Sequence, residues 1–351
     1  MTAAAAPGKP VNLALQGGGA HGAFTWGVLD ALLEDGRLQV DAVSGTSAGA
    51  MNGAALIAGL TKGGRDEARA MLRKFWRAVA RIGRLSPLAP TPLDRMLPAG
   101  PFGMTPVAAF WDVASRFFSP YDLNPFDLNP LRGVVERVID FEALHACDRH
   151  RLFISATNVH TGRGRLFTEK EVTVDAVMAS ACLPFLFRAV EIDGVPYWDG
   201  GYMGNPALYP FFRASDTEDV LLVQINPVER RETPRTARDI LDRMNEITFN
   251  SSLIGEFRAI EFVERLIDRG ALKHGGEDGY RRIRMHRIGG DEALSALGAS
   301  TKFNADWGFL SELRDAGRSA AQGWLRDSWA DVGVRATLDL RPRVRPEGAT
   351  A

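Results

Sequence analysis

Asp41-Ala42-Val43-Ser44-Gly45-Thr46-Ser47-Ala48-Gly49-Ala50-Met51-Asn52-Gly53 is the stretch on which the reading of the fold turns. A short strand-forming run ends in Gly45, a serine follows two residues later, and small residues lead into a helical pattern that continues to Leu60. Gly45-x-Ser47-x-Gly49 has the form of a nucleophile elbow, a sharp strand-to-helix turn that lifts a serine hydroxyl out of a sheet. Such a turn strains the serine backbone and needs flanking residues without bulk. Ala48 and Ala50 keep the first helical turn thin, and the helix N-terminus directs its dipole and free N–H groups toward Ser47. A Gly/Ala/Ser helix packed closely on a sheet yields the same five letters, so the elbow has to be weighed with the rest of the chain.

Upstream, Val11-Asn12-Leu13-Ala14-Leu15 reads as a first strand between Pro10 and a glycine cluster, Gln16-Gly17-Gly18-Gly19-Ala20-His21-Gly22. Phe24, Val28, Leu29, Leu32 and Leu33 then fall at helical spacing, and Gly36 closes that helix. The first sixty residues are thus a strand–helix–strand–helix unit, which implies parallel pairing through a right-handed crossover. Gly17-x-Gly19-x-x-Gly22 also matches the dinucleotide fingerprint, but that fingerprint wants an acidic residue closing the second strand. The second strand delivers Ser47 instead. Beside a nucleophilic serine, a glycine turn at a helix N-terminus offers backbone N–H groups to a developing oxyanion. A tight turn with no ligand is the plain alternative.

Composition narrows the classes. A chain of 351 residues with 45% hydrophobic and 24% charged residues is an ordinary globular protein. A net charge of −1 leaves no electrostatic footprint for nucleic acid. Two cysteines, Cys147 and Cys182, and no Cys/His cluster argue against a disulfide framework and a zinc site; neither metal nor cofactor is expected. Met1 to Pro10 has neither a basic start nor a long apolar segment and reads as an N-terminal tail. Residues 42–61 are uncharged but rich in Gly, Ser and Thr, which speaks against a transmembrane span. The expected location is the cytoplasm.

Residues 65–82 form a basic amphipathic helix. Residues 87–130 hold nine of the 19 prolines and many aromatics and read as a cap insertion over the site. Strands are expected at 151–157 and 165–168, and a short helix over 172–181. A hairpin turns at Asp193-Gly194 and delivers Asp199-Gly200-Gly201. Asp219 to Asn226 has the near-continuous apolar character of a buried strand. Residues 236–269 are helical with a break at Asn250-Ser251-Ser252, 282–288 form an edge strand, 304–329 a last helix, and 336–351 a flexible tail.

An acyl-transfer site needs a nucleophile, a base and donors for the oxyanion. Ser47, Asp199 and the Gly17–Gly19 turn supply one of each, all at strand ends. Together these segments resemble the patatin-like phospholipase family, through Gly-Gly-Gly-x-x-Gly at 17–22, Gly-Thr-Ser-Ala-Gly at 45–49 and Asp-Gly-Gly at 199–201, in that order. Ala179-Ser180 and Pro184-Phe185 add to the likeness, which covers residues 11–226 as a catalytic domain and leaves 227–335 as a helical extension packed on it. The resemblance implies a three-layer α/β/α fold with a central, mostly parallel sheet. It also implies a Ser–Asp dyad of Ser47 and Asp199, and an oxyanion hole from the N–H groups of Gly17, Gly18 and Gly19. No metal takes part, and the substrate is a lipid or other acyl ester, with peripheral contact at a membrane or lipid-droplet surface. One departure is His21, where many members carry Arg or Lys; any support it gives the loop depends on imidazole protonation. Two other readings stay open. One is an α/β-hydrolase with a Ser47–Asp–His triad through His274 or His286, and the other is a catalytically silent or nucleotide-binding interaction protein.

Overall fold

The computed structural model describes residues 8–84, 119–230, 232–275, 279–295 and 297–340. Residues 87–118 of the expected cap and 341–351 of the expected tail lie outside the described residues. Strand β1 (Lys9–Leu15) leads through the glycine turn into α1 (Gly22–Asp35); β2 (Leu38–Gly45) leads through the elbow into α2 (Ala48–Arg84). The elbow helix and the amphipathic helix expected over 65–82 form one run, turned at Gly63 and Gly64, where Gly64 takes φ +76°. After α3 (Pro130–Val138) come β3 (Arg151–Asn158), β4 (Gly164–Thr168), α4 (Val174–Ser180), β5 (Val190–Ile192), β6 (Val195–Asp199) and β7 (Asp219–Gln224). The long α5 (Ala237–Asp268), β8 (Arg284–Gly289) and α6 (Trp307–Asp327) complete the set used here.

The strands form one eight-stranded sheet in the order β5-β6-β3-β2-β1-β7-β8, with β4 on β3. The five strands from β3 to β8 pair in parallel, while β4, β5 and β6 are antiparallel. Strand periodicity sorts the side chains onto two faces. Leu13, Leu15, Leu221 and Val223 join the larger core with α1, α2 and α6, whereas Ala14, Val220 and Leu222 join a second core with Phe211, Leu253 and Ile260. Helices therefore cover both faces, giving the three-layer α/β/α architecture, and the central parallel strands are buried throughout.

One expectation changes. No break occurs at Asn250-Ser251-Ser252: Asn250 bonds Gln16 and the Pro227 carbonyl, and Ser251 Oγ donates to Thr248 O, both without opening the helix. The edge strand expected at 282–288 is β8, through which the C-terminal third joins the main sheet, and the amides of Thr337 and Leu338 return to the Met285 carbonyl. No helix among the described residues is long and apolar enough to cross a membrane.

Candidate active site

The elbow is built as its sequence requires. Ser47 takes φ +54°, a left-handed conformation that costs a non-glycine residue about 1–3 kcal/mol and persists only where surroundings enforce it. The surroundings are on hand. The Ser47 amide donates to Ser180 Oγ at 2.8 Å, and the Thr46 hydroxyl is fixed by Ser155 Oγ at 2.5 Å and the Gly204 carbonyl at 2.6 Å. Gly49 lets α2 start directly against β1, where a Cβ would meet the Leu15 and Gln16 carbonyl oxygens. Ser47 itself is half-buried, so its hydroxyl is reachable.

Asp199 arrives from β6. Strand β4 pairs with β3 over residues that overlap both the β2 and β6 pairings, so β2 and β6 must share the opposite edge of β3. Along that edge Gly45 lies opposite Ile154 and Asp199 opposite Ala156, a separation of two residues or about 7 Å. Where β2 ends in the serine turn, β6 ends in the aspartate. The Asp199 carboxylate accepts the Gly201 amide at 2.7 Å through Oδ1, and the Ser47 hydroxyl lies near enough to favour its ionised form. Its backbone is pinned by Asp199 N–H to the Cys182 carbonyl and by Thr157 Oγ1 to its own carbonyl, each at 2.8 Å. Asp199 is 1% exposed. Burial pushes its pKa up to about 7, against the opposing pull of the Gly201 amide, the Ser47 hydroxyl and the Lys302 charge. A carboxyl poised there exchanges protons near neutrality.

The glycine turn packs on the elbow closely enough that a Cβ at Gly17 would lie 2.8 Å from Ser47 Cβ. Its three amides are not equivalent. The Gly17 N–H is buried and donates to Asn205 Oδ1 at 2.7 Å, so it is already committed. Gly18 is half-buried and Gly19, at φ +59°, is exposed. His21 also differs from expectation. It is 3% exposed, its Nε2 lies 2.7 Å from Thr301 Oγ1, and burial, with the nearby Lys302 and Arg230 charges, lowers its pKa to about 3. The imidazole is neutral at any ordinary working pH and provides no switchable cation.

The histidines considered for a triad are engaged elsewhere. His286 Nε2 lies 3.0 Å from Asp219 Oδ1 and its Nδ1 3.0 Å from Thr337 Oγ1, while His274 Nε2 lies 3.1 Å from Glu218 Oε1. Glu218 and Asp219 open β7, at the end of the sheet opposite the strand C-termini that carry Ser47 and the glycine turn. The sequence reading did not single out four buried polar residues around the turn: Gln16, Asn205, Asn226 and Asn250. Gln16 Oε1 accepts the amides of Ile225 and Asn226 at 2.9 Å, and Gln16 Nε2 donates to Asn250 Oδ1 at 3.1 Å. A signal existed for two of them. Gln16 and Asn226 are polar residues just beyond apolar parallel strands, at the C-terminal ends where α/β sheets place their sites.

A family model described as patatin-like phospholipase matches residues 13–212. No curated protein matches the chain. Among solved structures, VipD from Legionella pneumophila is 17% identical with a TM-score of 0.41, over 92% of this chain and 67% of VipD. The type III effector protein ExoU, known from Pseudomonas aeruginosa, is 18% identical with a TM-score of 0.32, over 91% of this chain and 53% of ExoU. The chain thus spans about two thirds of the length of the first and about half of the second.

Proposed function

The chain belongs to the patatin-like phospholipase family, and from that premise we propose that it is a serine lipid acyl hydrolase of the phospholipase A or lysophospholipase type. In this reading Ser47 is the nucleophile, Asp199 the base, and the amides of Gly18 and Gly19 the oxyanion donors. The observation that carries the reading is the placement of a strained, reachable serine beside a buried carboxylate, while His274 and His286 are bonded to other carboxylates.

The chemistry follows from those groups. Ser47 Oγ attacks the ester carbonyl carbon as its proton passes to the Asp199 carboxylate. The carbonyl oxygen takes up the displaced electron pair and is stabilised by the glycine amides. Collapse expels the alcohol, which receives the proton from Asp199, and leaves an acyl ester on Ser47. Water then attacks that ester by the same steps in reverse, with Asp199 again taking the proton. Exposed Phe126 and Phe185 give the surface apolar side chains that suit peripheral contact with lipid.

The pH dependence tests the role of Asp199. Only its ionised form can accept the serine proton, and its pKa stands near 7. The kcat/KM for a short-chain p-nitrophenyl ester is therefore expected to rise about tenfold per pH unit below neutrality and to level off above it. A profile flat from pH 5 to 9 would contradict Asp199 as the base.

A further inference from the structure

The peptide joining Gly17 and Gly18 is held from one side by a clamp that starts far away in the sequence. The Gly17 carbonyl accepts Asn226 Nδ2 at 2.7 Å, and Asn226 Oδ1 accepts Lys302 Nζ at 2.8 Å. Asn226 is 1% exposed and is itself tethered to Gln16 Oε1 through its backbone amide at 2.9 Å and its Nδ2 at 3.3 Å. Lys302 belongs to a short 3-10 turn, Ala299–Phe303, laid over the glycine loop. Its backbone carbonyl occupies the space a Cβ at Gly19 would need, and the neighbouring Thr301 bonds His21.

Peptide geometry converts this clamp into aim. In a trans peptide the C=O and the following N–H point in opposite directions across a rigid plane. With the Gly17 carbonyl fixed on Asn226, the Gly18 N–H is directed away from Asn226. An asparagine alone does not guarantee that. Rotated by half a turn, its amide would set oxygen against the Gly17 oxygen. A lysine ammonium only donates, so Lys302, with Gln16 Oε1 as a more distant second acceptor for Nδ2, selects the orientation with Oδ1 toward the ammonium and Nδ2 toward Gly17. Burial lowers the pKa of Lys302; Glu246, Asp242 and Asp199 favour its charged form, and Arg230 opposes it.

We propose that Asn226 and Lys302 are positioning residues for catalysis, which together aim the Gly18 N–H at the oxyanion. The proposal rests on the acyl-hydrolase reading given above. It assigns the C-terminal third a part in the site, because the lysine that completes the oxyanion loop lies outside residues 13–212.

Lys302→Met and Asn226→Asp test it. Methionine removes the donor that orients Asn226, and aspartate keeps the acceptor for Lys302 but has no N–H for the Gly17 carbonyl. A donor aimed at the oxyanion acts in the transition state, so kcat on a p-nitrophenyl ester should fall about 10- to 100-fold while KM stays within about threefold. Near-UV circular dichroism should match the parent, and Lys302→Arg, which also only donates, should recover most of what Lys302→Met loses. Parental kcat in either folded variant, or a loss carried by KM, overturns the clamp while the hydrolase reading stands. A parent protein with no Ser47-dependent turnover overturns both.

Discussion

Ser47→Ala is expected to lower acyl-ester turnover by about 10⁴-fold or more, because the members of a catalytic unit fail together. The size of the loss follows from the site. The serines bonded to the elbow do not stand in for the Ser47 Oγ: Ser180 is committed to the Ser47 amide, and Ser155 to Thr46 and the Gly204 carbonyl. The fold should survive. Alanine can occupy the same φ of +54° at the cost serine already bears, and the Ser180 contact is made by a backbone amide that the substitution leaves in place. Asp199 loses its serine partner but keeps the Gly201 amide, and a carboxyl already close to neutrality tolerates the loss by protonation. Unchanged circular dichroism with turnover near zero is the expected pair of results. Turnover retained by the folded variant would remove Ser47 from the mechanism.

Asp199→Asn should cost about 10²- to 10⁴-fold in kcat, the usual worth of a positioned base. Asparagine is nearly isosteric, and its Oδ1 can still accept the Gly201 amide, so the 3-10 turn after β6 keeps its cap. What it lacks is a site for the serine proton. The informative controls are the histidines. His274→Ala and His286→Ala should each hold kcat within several-fold of the parent, since both imidazoles are bonded to carboxylates that open β7. They should differ in stability. His286 is 0% exposed, sits edge-on to Trp324 and bonds Asp219 and Thr337, so its removal deletes a packed ring and its hydrogen bonds from the interior, at a cost of about 1–3 kcal/mol. His274 is exposed, and its loss should barely move the melting temperature. A variant with lower Tm and intact kcat is the signature of a structural histidine. A collapse of kcat in folded His274→Ala or His286→Ala would restore the triad.

What could be read from the sequence was what is written locally. The alternation of strand, glycine turn and helix, the elbow, the Asp193-Gly194 hairpin and the buried run after Asp219 each carry their signal within about ten residues, and the sheet assembles from them. The candidate Ser47 could be read from a local shape, the nucleophile elbow, whereas Asp-Gly-Gly alone is a plain turn and Asp199 becomes a candidate only beside the elbow and the glycine turn. Illegible were the partners that only tertiary pairing brings in. Nothing near Asn205 announces that its side chain takes the Gly17 amide, which withdraws one of the three donors expected from the glycine turn. Nothing near Lys302 announces that it reaches under a loop some 280 residues earlier. His21 shows the same limit from the other side: its residue type suggested a switchable cation, and burial removed the charge. The break expected in α5 failed for a related reason, since Asn250 reads as a helix-weakening residue until Gln16 is seen to bond it.

Covalent trapping shows whether Ser47 is an activated nucleophile and whether Asp199 serves it. A fluorophosphonate forms a bond from an activated serine oxygen to phosphorus and expels fluoride, so it reports the nucleophile without any choice of lipid. Mass spectrometry of the digested, labelled protein is expected to place one adduct on the peptide containing Ser47. The adduct should be absent from Ser47→Ala and formed far more slowly by Asp199→Asn. An unlabelled Ser47 in the folded parent, or labelling at the same rate when Asp199 is asparagine, would contradict the account.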